Sequence, residues 1–155
     1  MDFQIEPLSR DAFAPLFDQS DAALAAQNIS RVAVTAKPGA PCRVSLQDAE
    51  VGETVLLLNY THQPADSPYR ASHAIYVRET ADTAAPEVNE VPDVLRCRQL
   101  SLRGFDAADM IVVGEVVEGA DLDTRLHALF EDSAVRYAQV HFAARGCFAA
   151  TVRPA

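Results

Sequence analysis

The chain has 155 residues, 13 Lys and Arg against 22 Asp and Glu, a net charge of −9 and 49% apolar residues. That length points to a single domain. A domain of this size buries roughly 68–70% of the surface its unfolded chain exposes, so it needs no disulfide or structural metal. The negative charge repels phosphate backbones and anionic headgroups, which argues against nucleic acid and membrane surfaces as partners.

Residues 3–6 alternate apolar and polar and stop at Pro7, the pattern of a short edge strand. Ser9 and Ser20 read as helix N-caps. Phe13, Leu16 and Phe17 form one stripe after the first, and the alanine-rich run 21–26 follows the second and ends near Asn28. Residues 31–36 read as a strand broken by Lys37-Pro38-Gly39-Ala40-Pro41. Residues 54–60 are apolar on both faces, which suits a central strand covered on both sides. Two prolines make 62–70 a loop, and 74–77 is the next strand.

The stretch 79–96 is acidic and proline-containing and reads as a solvated loop. Residues 98–103 alternate as a half-buried strand, and 110–117 form another apolar strand. Asp121 is placed to cap a helix over about 121–133, whose Leu122, Leu126, Leu129 and Phe130 share one face directed at the sheet. Residues 136–142 and 147–152, joined by a short segment ending in Gly146, read as a β-hairpin. Strands in runs, with helices near the start and one late, predict an α+β fold with a mainly antiparallel sheet.

Cys42, Cys97 and Cys147 are odd in number and widely spaced. No basic-then-apolar leader follows Met1, so a secreted disulfide framework is not expected. No uninterrupted apolar run, 55–58 included, approaches the ~20 residues that span a bilayer. The expected location is the cytoplasm. Lys37 is the single lysine, and the arginine excess alongside abundant alanine fits GC-rich codon usage.

The blocks Lys37-Pro38-Gly39-Ala40-Pro41-Cys42-Arg43-Val44-Ser45-Leu46, Gly52-Glu53, Ser67-Pro68-Tyr69-Arg70 and Arg145-Gly146-Cys147-Phe148 occur in this order along the chain. In them the sequence resembles the bacterial domain-of-unknown-function family 1203, DUF1203, over nearly its whole length. The resemblance implies a small bacterial α+β protein and brings no activity, cofactor or catalytic residue.

Any function therefore rests on the side chains themselves. Arg43, Arg70 and Arg145 lie at turns or strand ends, where a scaffold projects side chains into clefts. Their planar paired donors suit a carboxylate or phosphate. With Cys42, Tyr69, His141 and Cys147 they form the candidate site, a small-anion cleft lined by Arg, His and Tyr. One alternative is a thiol-dependent enzyme using Cys42 or Cys147, each with an arginine nearby to stabilise thiolate. A four-residue hairpin connection sets His141 opposite Phe148 and turns it away from Cys147, whereas three or five residues bring the two together. The plain reading of all three cysteines is as small buried hydrophobes.

A further alternative is a protein-interaction module using the acidic loop or a sheet edge. No GxSxG, phosphate loop or dinucleotide fingerprint is present, and His62, His73, His127 and His141 fall at no chelating spacing, although His62 and His73 flank one loop. No metal or cofactor is expected, and a homodimer stays open.

Overall fold

The computed structural model describes residues 1–155. The backbone forms an α+β arrangement of two antiparallel sheets, in place of the one sheet the strand runs predict. Its elements are β1 (Phe3–Glu6), α1 (Ala14–Phe17), α2 (Asp21–Ala25), β2 (Ser30–Ala33), β3 (Thr54–Gln63) and β4 (Ala71–Arg78), followed by α3 (Asp93–Arg96), β5 (Gln99–Phe105), β6 (Ile111–Glu118), α4 (Leu122–Leu129), β7 (Tyr137–Phe142) and β8 (Phe148–Pro154). No helix is long and apolar enough to cross a membrane. The chain divides into two compact units.

One unit comprises residues 7–60 and 74–84. Its sheet has the order β2-β3-β4, so the strand that is apolar on both faces is the central one. Leu56 and Leu58 face a cluster with Phe13, Leu24, Cys42, Val44, Ile75 and Val77. Val55, on the opposite face of the pleat, joins Val34, Ala40 and Ala49. Ser20 caps α2 by accepting from the Ala23 amide, and Ser9 caps a 3-10 turn at Arg10–Ala12.

The other unit comprises residues 1–6, 61–73 and 85–155. It contains the sheet β1-β8-β7-β5-β6, with β1 at an edge as the Pro7 stop predicts. The sheet has two unlike faces, fixed by the pairing of β5 with β7. Leu100 pairs with Phe142, Leu102 with Val140 and Gly104 with Ala138, which builds an apolar face. Helix α4 packs there: a Cβ on Gly104 would lie 3.2 Å from Leu129 and Val135, and Phe3 meets His127 edge-on at 5.2 Å. On the other face Ser101 pairs with His141, Arg103 with Gln139 and Phe105 with Tyr137.

Three local expectations are corrected. Asp121 makes no side-chain cap; it ends a 3-10 turn, Gly119–Asp121, that leads into α4, and the helix stops at Leu129 because the chain turns at Phe130. The acidic stretch 79–96 is not wholly solvated: Ala81, Val91, Val94 and Leu95 are buried, and its end coils into α3. Strand β3 continues through Thr61-His62-Gln63, where hairpin pairing with β4 overrides a polar, loop-like composition.

Candidate functional site

The residues predicted to line an anion cleft fall into both units. Cys42 and Arg43 belong to the unit 7–60/74–84, and Tyr69, Arg70, His141, Arg145 and Cys147 belong to the other. Cys42 is 1% exposed in the apolar cluster, and its sulfur accepts from the Ser45 amide at 3.4 Å and the Arg78 amide at 3.3 Å. Arg43 is 2% exposed, with Nη1 donating to the Pro41 carbonyl.

In the other unit, Arg70 closes its own loop by donating Nη2 to Pro64 O at 2.8 Å and Nε to Ala65 O at 3.2 Å. It also lines a shallow open hollow with Thr61, Pro64, Ala71 and Ser72. Tyr69 sits edge-on to Phe105. Arg145 is exposed in the turn between β7 and β8, and Cys147 is buried. His141 pairs with Phe148, and the Phe142 amide donates to Cys147 O, the register of a four-residue connection. The pleat therefore turns His141 and Cys147 to opposite faces.

What converges is a different set, built on the polar face of the five-stranded sheet. Because β7 alternates, Tyr137, Gln139 and His141 share that face while Ala138, Val140 and Phe142 enter the core. The end of β3 lays His62 and Gln63 over them. Gln139 grips His62 at two points: its Nε2 donates to the His62 carbonyl at 3.0 Å, and its Oε1 lies 2.8 Å from His62 Nδ1. The His62 ring stacks on Phe148 at 5.2 Å and meets His141 edge-on at 4.9 Å. His141, 1% exposed, has Nδ1 2.9 Å from Gly146 O and Nε2 3.2 Å from Gln139 Oε1. Beside them Tyr137 donates its hydroxyl to Asp109 Oδ1 at 2.6 Å and accepts from Gln63 Nε2 at 2.7 Å. Burial and the Asp109 carboxylate push this phenol up to about 12.

Two guanidinium groups reach this face: Arg153 lies 5.4 Å over the Tyr137 ring and pairs with Glu6, whereas Arg103 has no carboxylate partner. Arg103 stands between Gln139 on β7 and Gly114 on β6, and a side chain on Gly114 would meet only open space. Its Nε donates to Ser101 Oγ at 3.2 Å; neither terminal nitrogen is taken by a carboxylate or carbonyl. By contrast, the guanidinium groups of Arg31, Arg78, Arg125 and Arg153 pair with carboxylates. Burial pulls the Arg103 ionisation down from the usual arginine range. Burial first, then the charges of Arg103, His62 and His73, push the His141 imidazole down to about 3, against a bond to Gly146 O that favours the charged form. His62 is lowered by burial and by the Arg103 and His73 charges, a shift opposed by its bond to Gln139. Strongly perturbed groups gathered on one face mark a candidate site.

The sequence alone does not bring Arg103, Gln139, Tyr137 and His62 together as a constellation. The signal it carries for them is the alternation Ser101-x-Arg103-x-Phe105 and Tyr137-x-Gln139-x-His141, polar or aromatic beside apolar at a period of two. No three His, Cys, Asp or Glu side chains are arranged to hold a metal ion.

No curated protein and no solved structure matches the chain. The family model described as "protein of unknown function (DUF1203)" matches residues 39–153, which includes every residue of the sheet face described above. On that match, the chain belongs to the DUF1203 family.

Proposed function

We propose that the protein binds a small anion, a carboxylate or an oxyanion such as phosphate or sulfate, on the polar face of its five-stranded sheet, with Arg103 as the anchor. One observation carries this reading: the half-buried Arg103 guanidinium keeps both terminal nitrogens uncommitted in a chain with 22 carboxylates. Taking a charge out of water is costly unless it is paired, and a fork with free parallel donors matches the oxygens of a carboxylate or phosphate. The open space over Gly114 leaves the fork approachable, and Ser101, His62 and Gln139 add polar groups around it.

The site keeps His141 from the set read in the sequence and has Arg103 in place of Arg43 and Arg145; Tyr69 meets its edge at Phe105, while Arg70 donates into its own loop. Thermal shift and titration calorimetry with sulfate, phosphate and acetate test it. A ligand at a hundred times its Kd stabilises the fold by about 2.7 kcal/mol. Wild type shows that stabilisation with at least one of these anions and Arg103→Gln shows none. No response from the wild type, or an equal response from the variant, overturns the reading.

A further inference from the structure

The hydrogen-bond arithmetic around Gln139 is one proton short. Gln139 must direct Nε2 at the His62 carbonyl, 3.0 Å away, so its Oε1 faces both His62 Nδ1 at 2.8 Å and His141 Nε2 at 3.2 Å. The other nitrogen of His141 faces a second acceptor, Gly146 O at 2.9 Å. A neutral imidazole carries one N–H. His141 can therefore donate to Gly146 or to Gln139, and the remaining nitrogen lone pair points at a carbonyl oxygen in a buried place, where an unmade bond is costly. Turning the Gln139 amide over does not cure the mismatch; it moves it to the His62 carbonyl. A doubly protonated His141 satisfies every partner, because Gln139 Oε1 has one lone pair for each histidine.

That extra proton is opposed by the cations that face the ring. The fixed one is Arg103 from β5; His62 from β3 and His73 from β4 also face the ring and oppose its proton only when they carry one themselves. Its remaining neighbours, Gly146 O, Gln139 and Phe148, carry no charge. An anion seated on Arg103 cancels the largest of these opposing charges while leaving the two acceptors in place.

We infer that anion binding at Arg103 is coupled to uptake of one proton from solvent onto the His62–Gln139–His141 group, with His141 as its final holder. The inference rests on the anion-site reading and adds its regulation by pH: the site loads in acid and releases as pH rises.

Sulfate is the probe, since its own charge stays fixed between about pH 5 and 8, the window in which histidine titrates. Calorimetry in two buffers of different ionisation enthalpy counts the protons, and imidazole ¹⁵N shifts report which ring takes them. The expected results are close to one proton taken up per sulfate, affinity falling by up to tenfold per pH unit, and His141 ¹⁵N resonances moving to imidazolium values on saturation. In His141→Phe, where it folds, whatever sulfate affinity remains no longer varies with pH and no proton is taken up on binding. Sulfate binding to wild type with no proton uptake and unmoved imidazole resonances overturns the coupling while the anion site stands. No sulfate, phosphate or acetate binding at any pH in the window overturns the anion site itself, and the coupling with it.

Discussion

Exchanging His141 for phenylalanine removes a buried base whose titration is tied to folding. In the unfolded chain the imidazole has its ordinary value of 6.5, and in the folded protein burial and neighbouring cations hold it down to about 3. Protons thus bind the unfolded chain more tightly. The neutral ring contributes its full stability above pH 6.5, and that contribution is lost as pH falls toward 3. Integrating the linkage between those two values gives a loss of about 2 kcal/mol at pH 5 and almost none at pH 7. Carboxylates titrate over the same range, but they do so in wild type and variant alike, so the difference between the two isolates His141.

Urea denaturation at pH 7 and pH 5 in sulfate-free buffer measures it. With a slope of ~1–3 kcal/mol/M, 2 kcal/mol moves the midpoint by about 1 M. Wild type is predicted to lose that much more than His141→Phe on acidification, and added sulfate is predicted to shrink the loss. Equal losses in the two proteins would refute a neutral, buried His141.

Three more outcomes follow from other positions. Arg103→Leu removes a cation that holds both His62 and His141 down, so both imidazoles titrate higher in an NMR pH series; unchanged values contradict their placement around Arg103. Tyr137→Phe strips Asp109 of its 2.6 Å donor and Gln63 of its acceptor, which costs ~1–3 kcal/mol in urea denaturation, and ultraviolet titration loses the tyrosine that ionises at about 12. Gly119→Ala places a Cβ 2.0 Å from Leu95 O, 2.6 Å from Arg98 O and 2.7 Å from Arg96 O, all backbone, and overpacking of this kind costs ~1–3 kcal/mol or more. Thermal denaturation checks this loss, with Gly114→Ala, where nothing lies within 4 Å, as the near-neutral control.

Local pattern made most strands and the α+β class readable, because period-two alternation and proline or glycine stops are properties of short segments. The apolar 54–60 run marked the central strand, since only a strand covered on both faces buries Val55 and Leu56 in succession. Strand order was not readable. The pairing of β5 with β7 joins residues more than thirty positions apart, and nothing local to Arg103 announces that Gln139 will lie beside it.

The same limit decided the site. Arginines next to cysteines at turns drew attention because turns project side chains, yet Arg43 is driven inside and Arg145 stays out in solvent. Arg103 sat in a plain alternating strand and gained its setting only when two other strands closed around it. His141 was visible as a candidate, and its partner Gln139, two residues before it on the same face, was not, because an amide has no chemistry of its own until its geometry is known.

The most direct measurement follows the side-chain N–H resonances of Arg103 in ¹⁵N-labelled protein during a sulfate titration near pH 5. The expected result is that the Arg103 Nε–H and terminal N–H signals sharpen and shift saturably, and that the amides of Ser101, Gly114 and Gln139 move with the same midpoint. An Arg103 signal that stays fixed while exposed arginines such as Arg145 drift linearly with salt would contradict it.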